Sequence, residues 1–299
     1  MSSHWQTYLR GRLRRDVPLA PTTWFQVGGN AEYLFKPEDA EDLANFFKHK
    51  PAELPYLVLG VGSNVVIRDG GVDGVVIKLG RHFNVAEVHA ESAAITVGAA
   101  MLDVNVANVA ADHGIAGLEF LSGVPGTIGG AVKMNAGAYG SDTSQVVLQV
   151  KVILPDGTMQ TLANEACGFS YRHSQLPEGS IVVSATLQGE EGESAAIHEH
   201  IAAIQQKREN TQPIRSQTGG STFKNPEGYK AWELIDTAGC RGLKVGGAQV
   251  SKKHTNFMIN TGDATAADIE ALGEEVRRKV KDHSGVALEW EIKRIGKKA

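Results

Sequence analysis

The most informative segment for the fold is SGVPGTIGGAVKMNAGAYG, residues 122–140, in which six of nineteen positions are glycine. Glycine is costly to order, so a glycine cluster flanked by strand-like runs indicates tight turns or a ligand close to the backbone, not a flexible linker. A long diphosphate lying flat against backbone amides needs such a surface. A glycine-rich corner between strands explains the same spacing, so both interpretations stay open at this point.

A second glycine cluster, GVGSN at residues 60–64, follows a predicted strand over residues 56–59. It is not a dinucleotide fingerprint, because G-x-G-x-x-G needs glycine where the chain has Val65, and because VVIRD predicts a strand instead of a helix. The remaining interpretations are a plain turn and a nest of N–H groups that holds an anion. Two such segments in separate parts of the chain favour a ligand as large as a dinucleotide such as FAD.

Composition excludes several classes of protein. With 42% hydrophobic residues among 299, the chain is too apolar for low-complexity disorder, and no run approaches the roughly 20 apolar residues of a membrane span. The net charge of −4 gives no general affinity for nucleic acid. The two cysteines, Cys167 and Cys240, lack a CxxC partner and are interpreted as ordinary thiols in a reducing cytoplasm.

Periodicity predicts alternating helices and strands. Helices are expected over residues 37–50, 102–113 and 265–283, the last with a capping box at its start and an apolar stripe. A further helix must end before Pro213, where we place a domain boundary. The predicted division is a first part of a ligand-binding module at residues 1–80, a second part at residues 81–212, and a C-terminal domain at residues 213–299.

Three polar side chains have no obvious structural role. They are Arg172 in FSYRHS, Ser221 in GGSTFKNP, and Glu291 in LEWEIKR. The last segment, residues 288–294, predicts a strand with Glu289 and Glu291 on one face. A solvated glutamate and a surface ion pair are the ordinary alternatives. No histidine base accompanies Ser221, so its hydroxyl suits proton donation to a very basic centre, such as an enolate made by hydride addition to an alkene, better than nucleophilic attack.

The order of motifs carries a resemblance. TTWFQVGG, GVGSN, SGVPGTIGGAVKMNAGAYG, YRHS, GSTFKNP, AWELIDTAG and LEWEI occur in sequence between residues 21 and 296. This pattern resembles the UDP-N-acetylenolpyruvoylglucosamine reductase family, in its shorter, second subtype. The resemblance implies an α+β fold, with a two-part FAD-binding module of the vanillyl-alcohol-oxidase type followed by an α+β substrate-binding domain.

The resemblance also implies an activity. It implies a cytoplasmic enzyme with non-covalent FAD that uses NADPH to reduce the enolpyruvyl ether of UDP-N-acetylglucosamine to UDP-N-acetylmuramate, a peptidoglycan precursor. The expected kinetics are ping-pong, with hydride passing from flavin N5 to the vinyl carbon. A monomer is expected, with no metal, nucleic-acid or membrane partner.

Residue roles follow from the resemblance by position. The expected catalytic residues are Arg172, which stabilises developing charge, Ser221, the proton donor, and Glu291. Expected substrate contacts are Tyr171, Lys224, Asn225 and His254, while Lys293 occupies a position where many members have a phosphate-binding arginine. The expected cofactor-binding residues are Gly60, Val61, Gly62, Ser63, Asn64, Ser122, Gly123, Pro125, Gly126, Gly129, Gly130, Ala131, Asn135, Gly137 and Ala138.

Two rival functions are retained. One is an FAD-linked sugar or alcohol oxidase or dehydrogenase of the same flavin fold, which is distinguished by oxygen consumption without NADPH. The other is a non-catalytic protein that binds a nucleotide sugar and has lost its flavin, which is distinguished by a colourless preparation.

Overall fold

The computed structural model describes residues 4–299; residues 1–3, which belong to the first predicted domain, lie outside it. The chain forms two compact units. Unit 1 contains the chain up to Arg14, Tyr33–Gly60 and Val75–Lys207, and unit 2 contains Arg15–Glu32, Val61–Gly74 and Arg208–Ala299. Because the chain passes several times from one unit to the other, the units are discontinuous in sequence. The division into residues 1–80, 81–212 and 213–299 stays a prediction.

The helices agree with the periodicity. The α-helices in residues 4–299 are α1 Ala40–His49, α2 Asp103–Asp112, α3 Ile128–Met134, α4 Thr143–Val146, α5 Ser194–Thr211, α6 Ala231–Thr237 and α7 Ala266–Ser284. The side chain of Thr265 accepts from the backbone of Asp268, whose own side chain accepts from the backbone of Thr265, so the predicted capping box is confirmed. None of these helices combines the length and apolar character needed to cross a membrane.

The strands are short. Those in residues 4–299 are β1 Arg12–Pro18, β2 Asn30–Lys36, β3 Tyr56–Val58, β4 Val65–Ile67, β5 Val72–Ile77, β6 Ala86–His89, β7 Ala94–Gly98, β8 Ile115–Ala116, β9 Gly137–Ala138, β10 Ser141–Asp142, β11 Val147–Ile153, β12 Met159–Ala163, β13 Ile181–Gln188, β14 Glu190–Glu191, β15 Gln217–Thr218, β16 Lys244–Val245, β17 Ala248–Val250, β18 Met258–Asn260 and β19 Lys293–Ile295.

Unit 1 is built on an antiparallel sheet of order β12-β11-β13-β7-β6. The β11–β12 hairpin turns at the predicted Pro155-Asp156-Gly157, where Gly157 has φ +84°. One apolar core joins this sheet to α2 and α3, and a second surrounds Phe35, Phe46 and Ile77. Strand β3 pairs in parallel with β5, so the two strands end side by side at Val58 and Ile77.

Unit 2 has an antiparallel sheet of order β15-β18-β17-β16 and a parallel pair, β4 with β19. The predicted apolar stripe of α7 is fully buried in its core, at Ile269, Leu272, Val276 and Val280. Because Lys293 pairs with Val65, the residues that follow the GVGSN turn lie beside the C-terminal strand β19.

The predicted strand over residues 288–294 is wrong for its first five residues. Strand β19 begins only at Lys293, because the preceding segment forms an isolated bridge between Trp290 and Phe223 instead of a ladder. Leu288 and Ile292, which flank this segment, are buried, whereas the side chain of Glu289 is 75% exposed. Neither Glu289 nor Glu291 belongs to a strand. The two glutamates are therefore not members of one strand face.

Candidate active site

The GVGSN turn keeps its N–H groups available. Within residues 4–299, the N–H groups of Gly60 to Ser63 donate no backbone-to-backbone hydrogen bond, while the carbonyls of Gly62, Ser63 and Asn64 accept from Trp24, Gly220 and Lys293. Gly62 has φ +68°, and a Cβ there would lie 2.7 Å from the carbonyl oxygen of Thr22. The backbone is thus fixed from its carbonyl side, which leaves a row of donors of the kind that binds phosphate oxygens.

The other glycine segment meets this turn within unit 1. A Cβ placed on Gly60 would lie 2.9 Å from the hydroxyl oxygen of Thr127, the residue before α3. The chain before α2 lies alongside, since Ile128 N–H donates to Met101 and Gly129 N–H donates to Ala99. Gly60 and Thr127 therefore approach each other within unit 1, where Gly60 has no room for a side chain.

Some residues of the predicted cofactor set have structural roles as well. A Cβ on Gly123 would lie 2.4 Å from the ring of Tyr139, so this glycine makes room for an aromatic side chain. The hydroxyl of Ser122 donates to the carbonyl of Glu119. Asn135 is left-handed, with φ +45°, and its amide donates to the carbonyl of Ser170 while its side-chain oxygen accepts from Ser144 N–H.

Arg172 lies against this segment in unit 1. It occupies a tight turn closed by mutual backbone hydrogen bonds between Ser170 and His173, and its φ of +55° is uncommon for a bulky residue. Its Nη2 donates to the carbonyl of Gly137 at 2.9 Å, and its guanidinium lies 5.0 Å from the ring centroid of Tyr171. Strained backbone positions of this kind cluster at active sites and at segments that hold a ligand.

Ser221 lies between two fixed backbone positions in unit 2. Gly220 N–H donates to the carbonyl of Ser63 at 3.0 Å, and Thr222 N–H donates to the carbonyl of Asn256 at 2.8 Å. The Ser221 side chain is half-buried, and in the part of the chain that the structure describes its hydroxyl has no hydrogen-bond partner. The backbone on both sides of Ser221 is therefore fixed, while no hydrogen bond in the described residues engages its hydroxyl.

Glu291 is joined to the same segment. Its N–H donates to the carbonyl of Thr222 at 2.9 Å, and its own carbonyl accepts from the amide of Asn64 at 3.4 Å. Lys293 N–H then donates to the carbonyl of Asn64. Unit 2 thus brings together the GVGSN turn, Ser221 and Glu291 through backbone hydrogen bonds between segments far apart in sequence.

The predicted substrate contacts are distributed over both units. Tyr171 is exposed in unit 1, and Lys224 forms an ion pair with Glu289 at 3.4 Å in unit 2. The side-chain oxygen of Asn225 accepts from Ala231 N–H at the start of α6, a capping role that the sequence did not reveal. Desolvation by burial lowers the pKa of His254, whose Nδ1 accepts from Asn256 N–H, so the neutral ring carries its proton on Nε2.

One buried acid was missed. Asp103, the first residue of α2, is fully buried, and both of its carboxyl oxygens lack a hydrogen-bond partner among residues 4–299. Desolvation raises the pKa of this carboxyl well above its usual range. An acid in a first helical turn predicts an exposed residue that complements the dipole, so no sequence signal points to its burial. No group of three metal-ligating side chains occurs in the described part of the chain.

The comparisons with known proteins decide between the candidate functions. Residues 212–295 match the model of the UDP-N-acetylenolpyruvoylglucosamine reductase C-terminal domain, and residues 31–163 match that of an FAD binding domain. The UDP-N-acetylenolpyruvoylglucosamine reductase of Gluconobacter oxydans is 56% identical over 97% of this chain and 94% of its own. The chain belongs to the UDP-N-acetylenolpyruvoylglucosamine reductase family.

Solved structures agree with this assignment. The reductase of this family from Thermus caldophilus matches with a TM-score of 0.82 and 36% identity over 96% of this chain and all of its own. The 6-hydroxy-D-nicotine oxidase of Arthrobacter nicotinovorans shares the fold alone, with a TM-score of 0.50 and 16% identity over 64% of this chain and 44% of its own. The predicted fold class, an α+β protein with an FAD-binding module, is confirmed.

The enzyme class predicted from the motifs is confirmed as well. The protein is a flavin-dependent oxidoreductase of the reductase family, and the rival interpretation as a sugar or alcohol oxidase is not supported. The cofactor is FAD. The turn whose N–H groups donate to no backbone carbonyl among residues 4–299, and the close approach of the Thr127 hydroxyl to Gly60, fit a diphosphate-containing cofactor, so the residues present agree with the family.

Proposed function

We propose that the protein reduces UDP-N-acetylenolpyruvoylglucosamine to UDP-N-acetylmuramate with NADPH as the reductant, and that Ser221 is the proton donor. Bound FAD supplies the hydride that reaches the terminal vinyl carbon. The electron pair of the double bond then moves towards the substrate carboxylate, and the Ser221 hydroxyl gives its proton to the neighbouring carbon. Ser221 then regains a proton from Glu291, which is itself reprotonated by water.

The convergence in unit 2 carries this proposal. The two neighbours of Ser221 donate their N–H groups to the carbonyls of Ser63, in the GVGSN turn, and of Asn256. The carbonyl of the next residue, Thr222, accepts from the N–H of Glu291. A hydroxyl on a fixed backbone that has no hydrogen-bond partner within residues 4–299 is suited to donate to a ligand. We assign to Glu291 the orientation of this hydroxyl and the return of its proton.

Arg172 is assigned to the substrate carboxylate. Its guanidinium donates to the carbonyl of Gly137, beside the glycine-rich segment, and Arg is suited to a carboxylate because its donors form a planar fork. The charge that develops on the carboxylate after hydride addition strengthens this contact. Tyr171, Lys224, Asn225 and His254 are proposed to bind the remainder of the substrate, and the fifteen predicted residues of the two glycine-rich segments to bind FAD. We further propose a cytoplasmic monomer.

The half-reactions test the proton donor. In Ser221→Ala, reduction of the flavin by NADPH proceeds at the wild-type rate, whereas reoxidation by the enolpyruvyl substrate slows by about 10²–10³-fold, the effect of removing one preorganised donor. Stopped-flow absorbance of the flavin follows both steps separately.

Thr222→Val is the matched control. It removes the neighbouring hydroxyl, which is fully buried and has no hydrogen-bond partner within residues 4–299, and it leaves both half-reactions at the wild-type rate. Equal slowing of the two half-reactions in Ser221→Ala refutes the proton-donor role, as does a Thr222→Val enzyme that is equally impaired.

A further inference from the structure

Lys78 is a cation that neither the predicted site nor the family assignment uses. It follows β5 directly, and its N–H donates to the carbonyl of Phe35. Its ammonium donates to the carbonyl of Gly60 at 3.0 Å, and the Leu59 N–H just before that turn donates to Ile77. Lys78 is therefore fixed by its backbone to β2 and by its side chain to the residue Gly60 after β3, at the side where the parallel strands β3 and β5 end.

The charge on Lys78 lacks compensation from the protein. No carboxylate lies within ion-pair distance of either Lys78 or Lys36 in residues 4–299, and the charge of Lys36 acts on Lys78. The pKa of Lys78 is lowered mainly by desolvation on burial and, to a lesser extent, by the positive charge of Lys36. A half-buried ammonium next to a second cation, with only a carbonyl as partner, is an arrangement that an anion stabilises.

The surroundings indicate which anion. Gly60, whose carbonyl accepts from Lys78, is the residue whose missing side chain leaves room beside Thr127. The next residues supply the unused N–H donors described above. An ammonium at the start of such a row extends it with a full positive charge, as a lysine does in other phosphate-binding turns.

We propose that the ammonium of Lys78 binds the diphosphate of FAD at the Gly60 turn, with Lys36 contributing a second, longer-range positive charge. The proposal concerns the cofactor, not the proton donor, so it stands or falls independently of the role of Ser221.

Binding to the flavin-free protein tests it. Lys78→Met keeps most of the side-chain length and removes the charge, and it weakens the affinity for FAD by about 10- to 100-fold, the usual effect of one hydrogen bond to a charged group. ADP, which carries a diphosphate without the flavin, loses affinity by the same factor. Riboflavin, which has no phosphate, keeps its affinity. Flavin fluorescence quenching and competition by ADP report the three dissociation constants.

Two matched variants complete the design. Lys78→Arg retains the charge and most of the FAD affinity, and Lys151→Met removes an exposed lysine of β11 in the same unit without effect. Unchanged FAD affinity in Lys78→Met overturns the proposal. An equal loss of affinity for FAD, ADP and riboflavin, together with a lower melting temperature of the flavin-free protein, indicates a structural role for Lys78 and also overturns it. An unchanged FAD affinity combined with a raised KM for the UDP-linked substrate assigns the lysine to the other diphosphate and also overturns it. If wild-type protein binds no FAD, the cofactor assignment itself fails.

Discussion

Asp103 provides a quantitative test of the interior of unit 1. Its carboxyl is fully buried, both oxygens lack hydrogen-bond partners in the part of the chain that the structure describes, and desolvation is the cause that raises its pKa. In the unfolded chain the same group has a pKa of about 3.9. The folded protein therefore keeps this proton at pH values where the unfolded chain has released it.

The sign and size of the effect follow from this difference. Below the pKa of the unfolded chain, the carboxyl is protonated in both the folded and the unfolded state, so its contribution to the free energy of unfolding does not depend on pH. As the pH rises towards the folded pKa, the wild-type free energy of unfolding falls by about 1.4 kcal/mol per pH unit relative to a protein without the group. Above the folded pKa the difference becomes constant.

Asp103→Asn isolates this contribution. The amide is neutral at every pH and has nearly the same shape as the protonated acid, so the other titrating groups cancel in the difference between the two proteins. Urea unfolding of the flavin-loaded wild-type and variant proteins, at pH values between about 4 and 8, gives that difference. Asp263→Asn, which makes the same substitution at an exposed acid, is the matched control. A wild-type minus Asp103→Asn difference that is independent of pH refutes the buried, unpartnered carboxyl.

Two further substitutions test local geometry. Gly62→Ala places a Cβ 2.7 Å from the Thr22 carbonyl oxygen at a φ of +68°, so we expect it to reduce the FAD content of the purified protein, measured as flavin absorbance per chain. The control is Gly117→Ala, at φ +88°, which has the same backbone strain but no atom within 4 Å of the new Cβ, and which keeps its flavin. Thr265→Ala removes the N-terminal cap of α7 and lowers the free energy of unfolding by about 1 kcal/mol in urea unfolding, with FAD content unchanged. A Gly117→Ala protein that loses as much flavin, or a Thr265→Ala protein of full stability, contradicts these expectations.

The local part of the fold was predictable from the sequence. Helix α7 was found within a residue at each end, because its capping box and apolar stripe act between residues three or four apart. The β11–β12 hairpin was likewise indicated by Pro155-Asp156-Gly157. Such signals depend only on residues close together in sequence, so they indicate the local structure independently of the contacts that the rest of the chain makes.

The non-local part was not predictable. Residues 288–294 alternate like a strand, yet a ladder forms only over Lys293–Ile295, because the partner strand β4 extends over three residues. That partner lies more than 200 residues earlier in the chain, so no local pattern indicates where the ladder begins. Separations of more than 150 residues likewise conceal the hydrogen bonds by which Gly220, next to Ser221, and Glu291 contact the GVGSN turn. The motif order supplied the residue identities, whereas their contacts required the folded chain.

An anaerobic titration of the purified, flavin-loaded protein is the decisive measurement for the proposed reaction. We expect NADPH to bleach the flavin absorbance and UDP-N-acetylenolpyruvoylglucosamine then to restore it, with one molecule of UDP-N-acetylmuramate formed for each flavin reoxidised. A flavin that regains its absorbance only when oxygen is admitted, with the enolpyruvyl substrate left unchanged, contradicts the proposed reaction.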